Sequence, residues 1–149
     1  MPSRKVARRS PARPVARRSV AESIARRFVE RINAHDLGGI VALLTSDHRF
    51  VDSLGTAFDG RDMMQKGWAA YLRMVPDYRI DIEQTFGSGN VVLLIGSASG
   101  TYSRDGTLNT SDAWRTPAAW FARVRGRLIA EWRVYADNEP IRRRMRLEG

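Results

Sequence analysis

The stretch AAWFARVRGRLIAEWRVYAD, Ala118 to Asp137, limits the fold more than any other part of the chain. It reads as two long strands joined by a tight turn at Arg125-Gly126-Arg127, where Gly126 supplies the positive φ that such a turn needs. Trp120, Phe121 and Val124 fill the first strand, and Ile129, Trp132, Val134 and Tyr135 fill the second. Aromatic and β-branched side chains of this kind suit a pleated, half-buried surface. The second strand ends on the carboxylate of Asp137. Alternation puts Asp137 on the face of Glu131, Arg133 and Tyr135, opposite the more apolar Leu128, Ala130, Trp132, Val134 and Ala136. Asp137 is then a solvated strand end paired with Arg133, unless a bulge or strong coiling turns it to the rim of an apolar pocket.

A chain of 149 residues is one domain's worth, enough to bury a core without staples. It has no cysteine, which removes disulfides, thiolate zinc ligands and thiol nucleophiles and agrees with a reducing, cytoplasmic setting. No apolar run approaches the ~20 residues of a membrane span, so no membrane insertion is expected. The basic N-terminal stretch is not followed by the apolar run of a secretory signal.

The net charge of +9 is unevenly placed. Residues 1–18 hold seven bases and no acid, and the last ten hold four bases and one acid. Residues 19–139 are nearly neutral. Basicity therefore belongs to the ends, where it allows non-specific contact with nucleic acid or serves only as a solvated extension. The Arg-rich segment 1–18, poor in apolar residues and broken by Pro11 and Pro14, reads as a disordered tail. The organisation expected is a tail over 1–18, a domain over 19–139 and a basic end over 140–149.

Ser19-Val-Ala-Glu22 has the spacing of a capping box and opens a helix. Val20, Ile24, Phe28 and Ile32 give that helix one apolar stripe. Asp36 caps a short second helix containing Leu37, Ile40, Val41 and Leu44. His48 to Asp52 reads as a strand, with His48, Phe50 and Asp52 on one face. A third helix runs from about Arg61, through Met64, Trp68, Tyr71 and Leu72, to a stop at Pro76. Strands follow at about Tyr78 to Phe86, Val91 to Tyr102, and Ser111 into the opening hairpin, where Pro117 marks a bulge or an edge. Helices early and strands late predict an α+β fold, a curved antiparallel sheet with three N-terminal helices enclosing a pocket.

With Ile32-Asn-Ala-His-Asp36-Leu, Phe50-Val-Asp52, Phe58-Asp-Gly-Arg-Asp62 and above all Gly126-Arg-Leu-Ile-Ala-Glu-Trp-Arg-Val-Tyr-Ala-Asp137, this order resembles the NTF2-like superfamily and, within it, SnoaL-like polyketide cyclase-type domains. The resemblance covers about residues 19–139. It implies a cone with an apolar pocket, no cofactor, and a homodimer packed through exposed sheet. In similar ketosteroid isomerases the carboxylate base matches Asp52, but the two oxyanion donors are replaced by Phe28 and roughly Ala118. In similar limonene-epoxide hydrolases the water-activating carboxylate matches Asp137, but the Arg-x-Asp of the middle strand gives way to residues near Ser97-Ala-Ser99. In SnoaL-type cyclases a terminal-strand carboxylate serves as acid and base, and Asp137 fits it.

The resemblance therefore implies catalytic roles for Asp137, Asp52 and His48, and a substrate surface drawn from Phe28, Trp68, Tyr71, Trp120 and Tyr135. The plainer account of each is structural: a turn-capping Asp52, a satisfied core His48, aromatics that only fill the core. Two histidines without clustered partners give no metal site. The expected activity is binding of a small hydrophobic molecule, with acid–base cyclisation or isomerisation as the enzymatic form. The alternative is a non-catalytic ligand-binding or dimerisation module.

Overall fold

A computed structural model describes residues 18–147. The tail expected over 1–18 lies outside the described residues apart from Arg18, as do the last two residues. Three helices come first: α1 (Val20–Asn33), α2 (Leu37–Ala42) and, after strands β1 (Leu44–Val51) and β2 (Ala57–Asp59), α3 (Arg61–Met74). Strands β3 (Arg79–Ser88), β4 (Val91–Thr101), β5 (Ala113–Arg125) and β6 (Leu128–Ala136) follow, and the chain closes on α4 (Glu139–Leu147).

The six strands form one sheet in the order β2-β1-β6-β5-β4-β3. Four of its five pairings are antiparallel, but β1 runs parallel to β6, so the sheet is mixed where an antiparallel one was expected. The reason is topological. The strand after α2 has to lie beside the last strand to close the sheet over the helices, and the direction in which α2 delivers it is parallel. Two local expectations also shift. Leu44 starts β1 rather than ending α2, and a further short strand, β2, falls between β1 and the third helix and pairs with β1.

Ser19 caps α1 by accepting the N–H of Glu22 at 3.1 Å, as the capping spacing predicts. The apolar stripe of α1 buries Ile24, Phe28 and Ile32 against β3, β4, β5 and β6. Fully burying a side chain such as Phe28 contributes roughly 1.5–3 kcal/mol. The helix end is fixed by Asn33, whose side chain donates to the carbonyl of Ile80 at 2.9 Å and accepts the Ile80 N–H at 2.8 Å. A side-chain amide thereby takes the place of a further strand at the sheet edge.

Two devices bend the sheet. Gly96 faces Ile82 across the pairing, and a Cβ there would lie 1.8 Å from the Asp81 carbonyl oxygen, next to a register shift between Ile82 and Gln84. A second shift, between Arg123 and Val124, leaves Ala130 of β6 as an extra residue. The hairpin turn itself has Gly126 at φ 64°, as its sequence demands. Pro117 pairs with Ser97 on one side and lies past the end of the β6 pairing on the other, so its missing N–H costs no ladder bond there.

Replacing Asn33 by Ala should lower stability by about 1–3 kcal/mol, since both main-chain groups of Ile80 lose their partner. Urea unfolding checks this, and an unchanged midpoint would mean that water replaces the amide without loss.

Candidate functional site

The concave side of the sheet and the helices enclose a cavity of about 340 Å³. Its wall is a run of touching rings contributed in turn by β2, β1, α3, the loop before β3, and β5. Phe58 meets Phe50 with ring centroids 6.3 Å apart, and Phe50 meets Trp68 at 6.4 Å. Trp68 meets Tyr71 at 6.4 Å, Tyr71 meets Tyr78 at 5.0 Å, and Tyr78 meets Trp114 at 6.2 Å. The Trp68–Tyr71 and Tyr71–Tyr78 planes stand at 88°, the edge-to-face arrangement that ring quadrupoles favour. Trp120 and Trp132 complete the lining, so all four tryptophans of the chain border this space.

Polar atoms in the lining are few and are mostly donors. The hydroxyls of Tyr71 and Tyr78 have no hydrogen-bond partner among the described residues, and burial pushes both phenols well above their ordinary pKa, so they stay protonated. The indole N–H groups of Trp68, Trp114 and Trp120 are buried and unpaired as well. At the mouth lie Asp52, Ser53, Asn138 and Arg142. Asp52 Oδ1 accepts the N–H groups of Leu54 and Thr56, each at 2.9 Å, while its second oxygen has no protein donor among the described residues. Asn138 donates to the Ser53 hydroxyl and so ties the end of β6 to the turn after β1.

The structure distributes the residues singled out from the sequence unevenly. Asp52, Trp68, Tyr71 and Trp120 line the cavity. Phe28 sits behind the lining, fully buried, its ring 4.8 Å from that of Trp132. Tyr135 is 55% exposed on the outer face of the sheet. Asp137 is exposed too; its Oδ1 accepts the Glu139 N–H at 2.9 Å, which turns the chain into α4, and it borders a separate concavity with Arg115, Arg143 and Arg144. Alternation within β6 after the bulge points Trp132, Val134 and Ala136 inward, so Asp137 falls outside.

His48 shares the inward face of β1 with Phe50 and Asp52 but lies wholly within the core, not on the cavity. Its Nδ1 is 2.7 Å from the Ile129 carbonyl oxygen, so Nδ1 carries the proton and Nε2 is left bare and unpaired. Burial lowers its pKa, partly offset by that hydrogen bond and by the charges of Glu131 and Asp47. Sequence reasoning missed the Tyr78 hydroxyl and everything from α4. The signal for the latter was the four-residue spacing of Ile141 and Met145 in a segment read only as a basic end.

Among the described residues no group of three or more His, Cys, Asp or Glu side chains could hold a metal, and no helix is long and apolar enough to cross a membrane. The SnoaL-like domain family matches residues 25–132, well over half of the sequence. The chain belongs to this family. No curated protein sequence matches it. A Shewanella denitrificans protein named a SnoaL-like polyketide cyclase superposes on the SnoaL-like domain with a TM-score of 0.74 at 15% identity, covering 87% of this chain and 99% of that one. An NTF2-like protein of unknown function from Burkholderia pseudomallei gives 0.71 at 16% identity, over 85% and 97%. A Catenulispora acidiphila protein with a ketosteroid isomerase-like fold, in complex with trimethylamine, gives 0.65 at 19% identity, over 75% and 83%. At such identities the likeness is one of fold.

The His48 environment sets a pH dependence. The folded SnoaL-like domain holds this ring neutral, with its pKa below the unfolded value of 6.5. Its stabilising contribution is complete above that value and is lost as pH falls, because the unfolded chain takes up the proton first. Melting curves between pH 7.5 and 5 should therefore fall more steeply for the native chain than for His48→Asn. Parallel profiles would count against it.

Proposed function

We propose that this SnoaL-like domain binds a small apolar organic molecule in the aromatic cavity and that Asp52 acts on it as an acid–base group. One observation carries the reading: a single cavity joins a carboxylate oxygen without a protein donor to two tyrosine hydroxyls that have no hydrogen-bond partner among the described residues. Asp52 would take a proton from a carbon next to a carbonyl. The hydroxyls of Tyr71 and Tyr78 would donate to that oxygen as negative charge develops on it, in surroundings where a donor counts for more than in water. Return of the proton to another carbon is an isomerisation. Attack of the enolate carbon on a second carbonyl of the same folded molecule, whose oxygen then takes the proton, closes a ring.

The two main-chain N–H groups on Asp52 Oδ1 favour a second reading, a non-catalytic binder in which Asp52 only orders its turn. Exchange of the α-protons of 2-tetralone in D2O, followed by NMR, separates the two. Under the catalytic reading Asp52→Asn slows exchange by roughly 10²-fold or more while the affinity, read from tryptophan fluorescence, holds. Equal exchange rates for native and variant protein leave the binder.

We further propose a homodimer through the outer sheet face. There Phe86, Leu93 and Phe121 lie side by side across β3, β4 and β5, and Ile95, Ala119 and Tyr135 form the next row. Phe86, Leu93, Ile95 and Tyr135 are between 38% and 55% exposed, more apolar surface together than a solitary sheet face needs. Sedimentation at micromolar concentration should give twice the chain mass, falling to one for the Leu93→Arg, Ile95→Arg double variant. A native mass of one chain ends the proposal.

A further inference from the structure

One side of the cavity mouth is built by a segment outside the family match, which ends at residue 132, whereas α4 spans Glu139–Leu147. Ile141 and Met145, one helical turn apart, close over the aromatic wall, and between them Arg142 brings the only cation of the lining among the described residues. The other arginines of α4 are placed differently. Arg146 pairs with Glu139, and Arg143 and Arg144 border the separate concavity beside Asp137. The Arg142 side chain has neither a hydrogen bond nor an ion pair among the described residues. Asp52, the one carboxylate of the described lining, is not within the 4.0 Å of an ion pair with it and accepts two main-chain N–H groups on Oδ1.

Of the two charged side chains in the described lining, Arg142 alone has no hydrogen-bond partner among the described residues, and it stands at the mouth, above an apolar body. An organic cation would meet that charge unpaired. A neutral apolar molecule would leave five guanidinium N–H donors facing water and the ligand alike. A carboxylate matches the planar fork and can accept two parallel hydrogen bonds from it. Because Arg142 is exposed, such a pair forms without the full cost of burying two ions.

We propose that Arg142 is the anion anchor of this cavity, and that its ligand is an apolar ring system bearing a carboxylate, with the rings against the aromatic wall and the carboxylate on Arg142. This rests on the reading of the cavity as a ligand site, and the test separates the two. Isothermal titration of the full chain with 2-naphthoate and with its neutral counterpart 2-naphthamide should show the carboxylate binding roughly 10- to 100-fold tighter. Arg142→Gln should abolish that preference while leaving the amide affinity unchanged, Arg142→Lys should keep part of it, and Arg143→Gln, on the other side of α4, should keep all of it. Melting temperatures matching the native chain confirm that the variants fold. Equal affinity for the two probes, or a preference that survives Arg142→Gln, overturns the anchor and leaves the ligand site standing. If neither probe binds, the anchor and the ligand site fall together.

Discussion

The hydrogen bond from the buried His48 ring to the Ile129 carbonyl holds the point at which the sheet changes phase. Leu44 pairs with Ile129, but the next pair is Arg49 with Glu131, so residues 45–48 of β1 stand opposite the single Ala130 of β6. Ile129 would lose its ladder partners at such an irregularity. Instead its N–H reaches the Leu43 carbonyl at 2.7 Å, and its carbonyl takes the His48 Nδ1–H. A buried carbonyl left empty costs on the order of 1–3 kcal/mol, enough to favour another register. With this one held, Trp132, Val134 and Ala136 face the cavity while Glu131, Arg133, Tyr135 and Asp137 face out. The imidazole thus helps the β5 pairing to hold which half of the terminal strand faces the cavity.

The same phase explains the division of chemistry across β6. Outside, Arg133 donates to Glu131 at 3.2 Å, and Arg123 lies 3.8 Å from the same carboxylate, a solvated strip of charge. Inside, apolar surface dominates and the few polar atoms are donors of modest polarity. Phenol and indole groups can be buried without ionising, which a carboxylate or ammonium cannot do cheaply. Such a lining offers donors to oxygen acceptors and no partner to a charge carried into its interior. The two charged side chains of the described lining, Asp52 and Arg142, lie at the mouth within reach of water.

Much of the fold was legible because its signals are local. The capping serine, the four-residue stripe of α1, the stop after α3 and the Gly126 turn each follow from spacing and backbone preference. The parallel β1–β6 pairing was not legible, since strand direction depends on a contact across some 80 residues and leaves no period in the sequence. Of the site, Trp68 and Tyr71 on one helix face and Asp52 at a strand end could be read by periodicity. Facing along β6 could be read too, and it pointed outward for Asp137; only the resemblance drew that residue toward the pocket. Tyr78 and Arg142 escaped because a loop tyrosine and an arginine in a basic run look alike whether they meet solvent or a cavity.

That contrast separates the container from its opening. The wall residues sit where the sheet, α1 and α3 pack, so a change in any of them disturbs close-packed neighbours as well as the cavity. Residues at the mouth are bound by fewer neighbours. Asn138 touches Ser53, Ile141 is buried, and Arg142 is exposed with its side chain unengaged. Substitution of Arg142 therefore disturbs little packing, whereas substitution of Ile141 disturbs the core. The fold is held in common at 15–19% identity, and a shared fold does not carry a shared mouth. In this chain the residues after 132, where the family match stops, place one cation over an aromatic well.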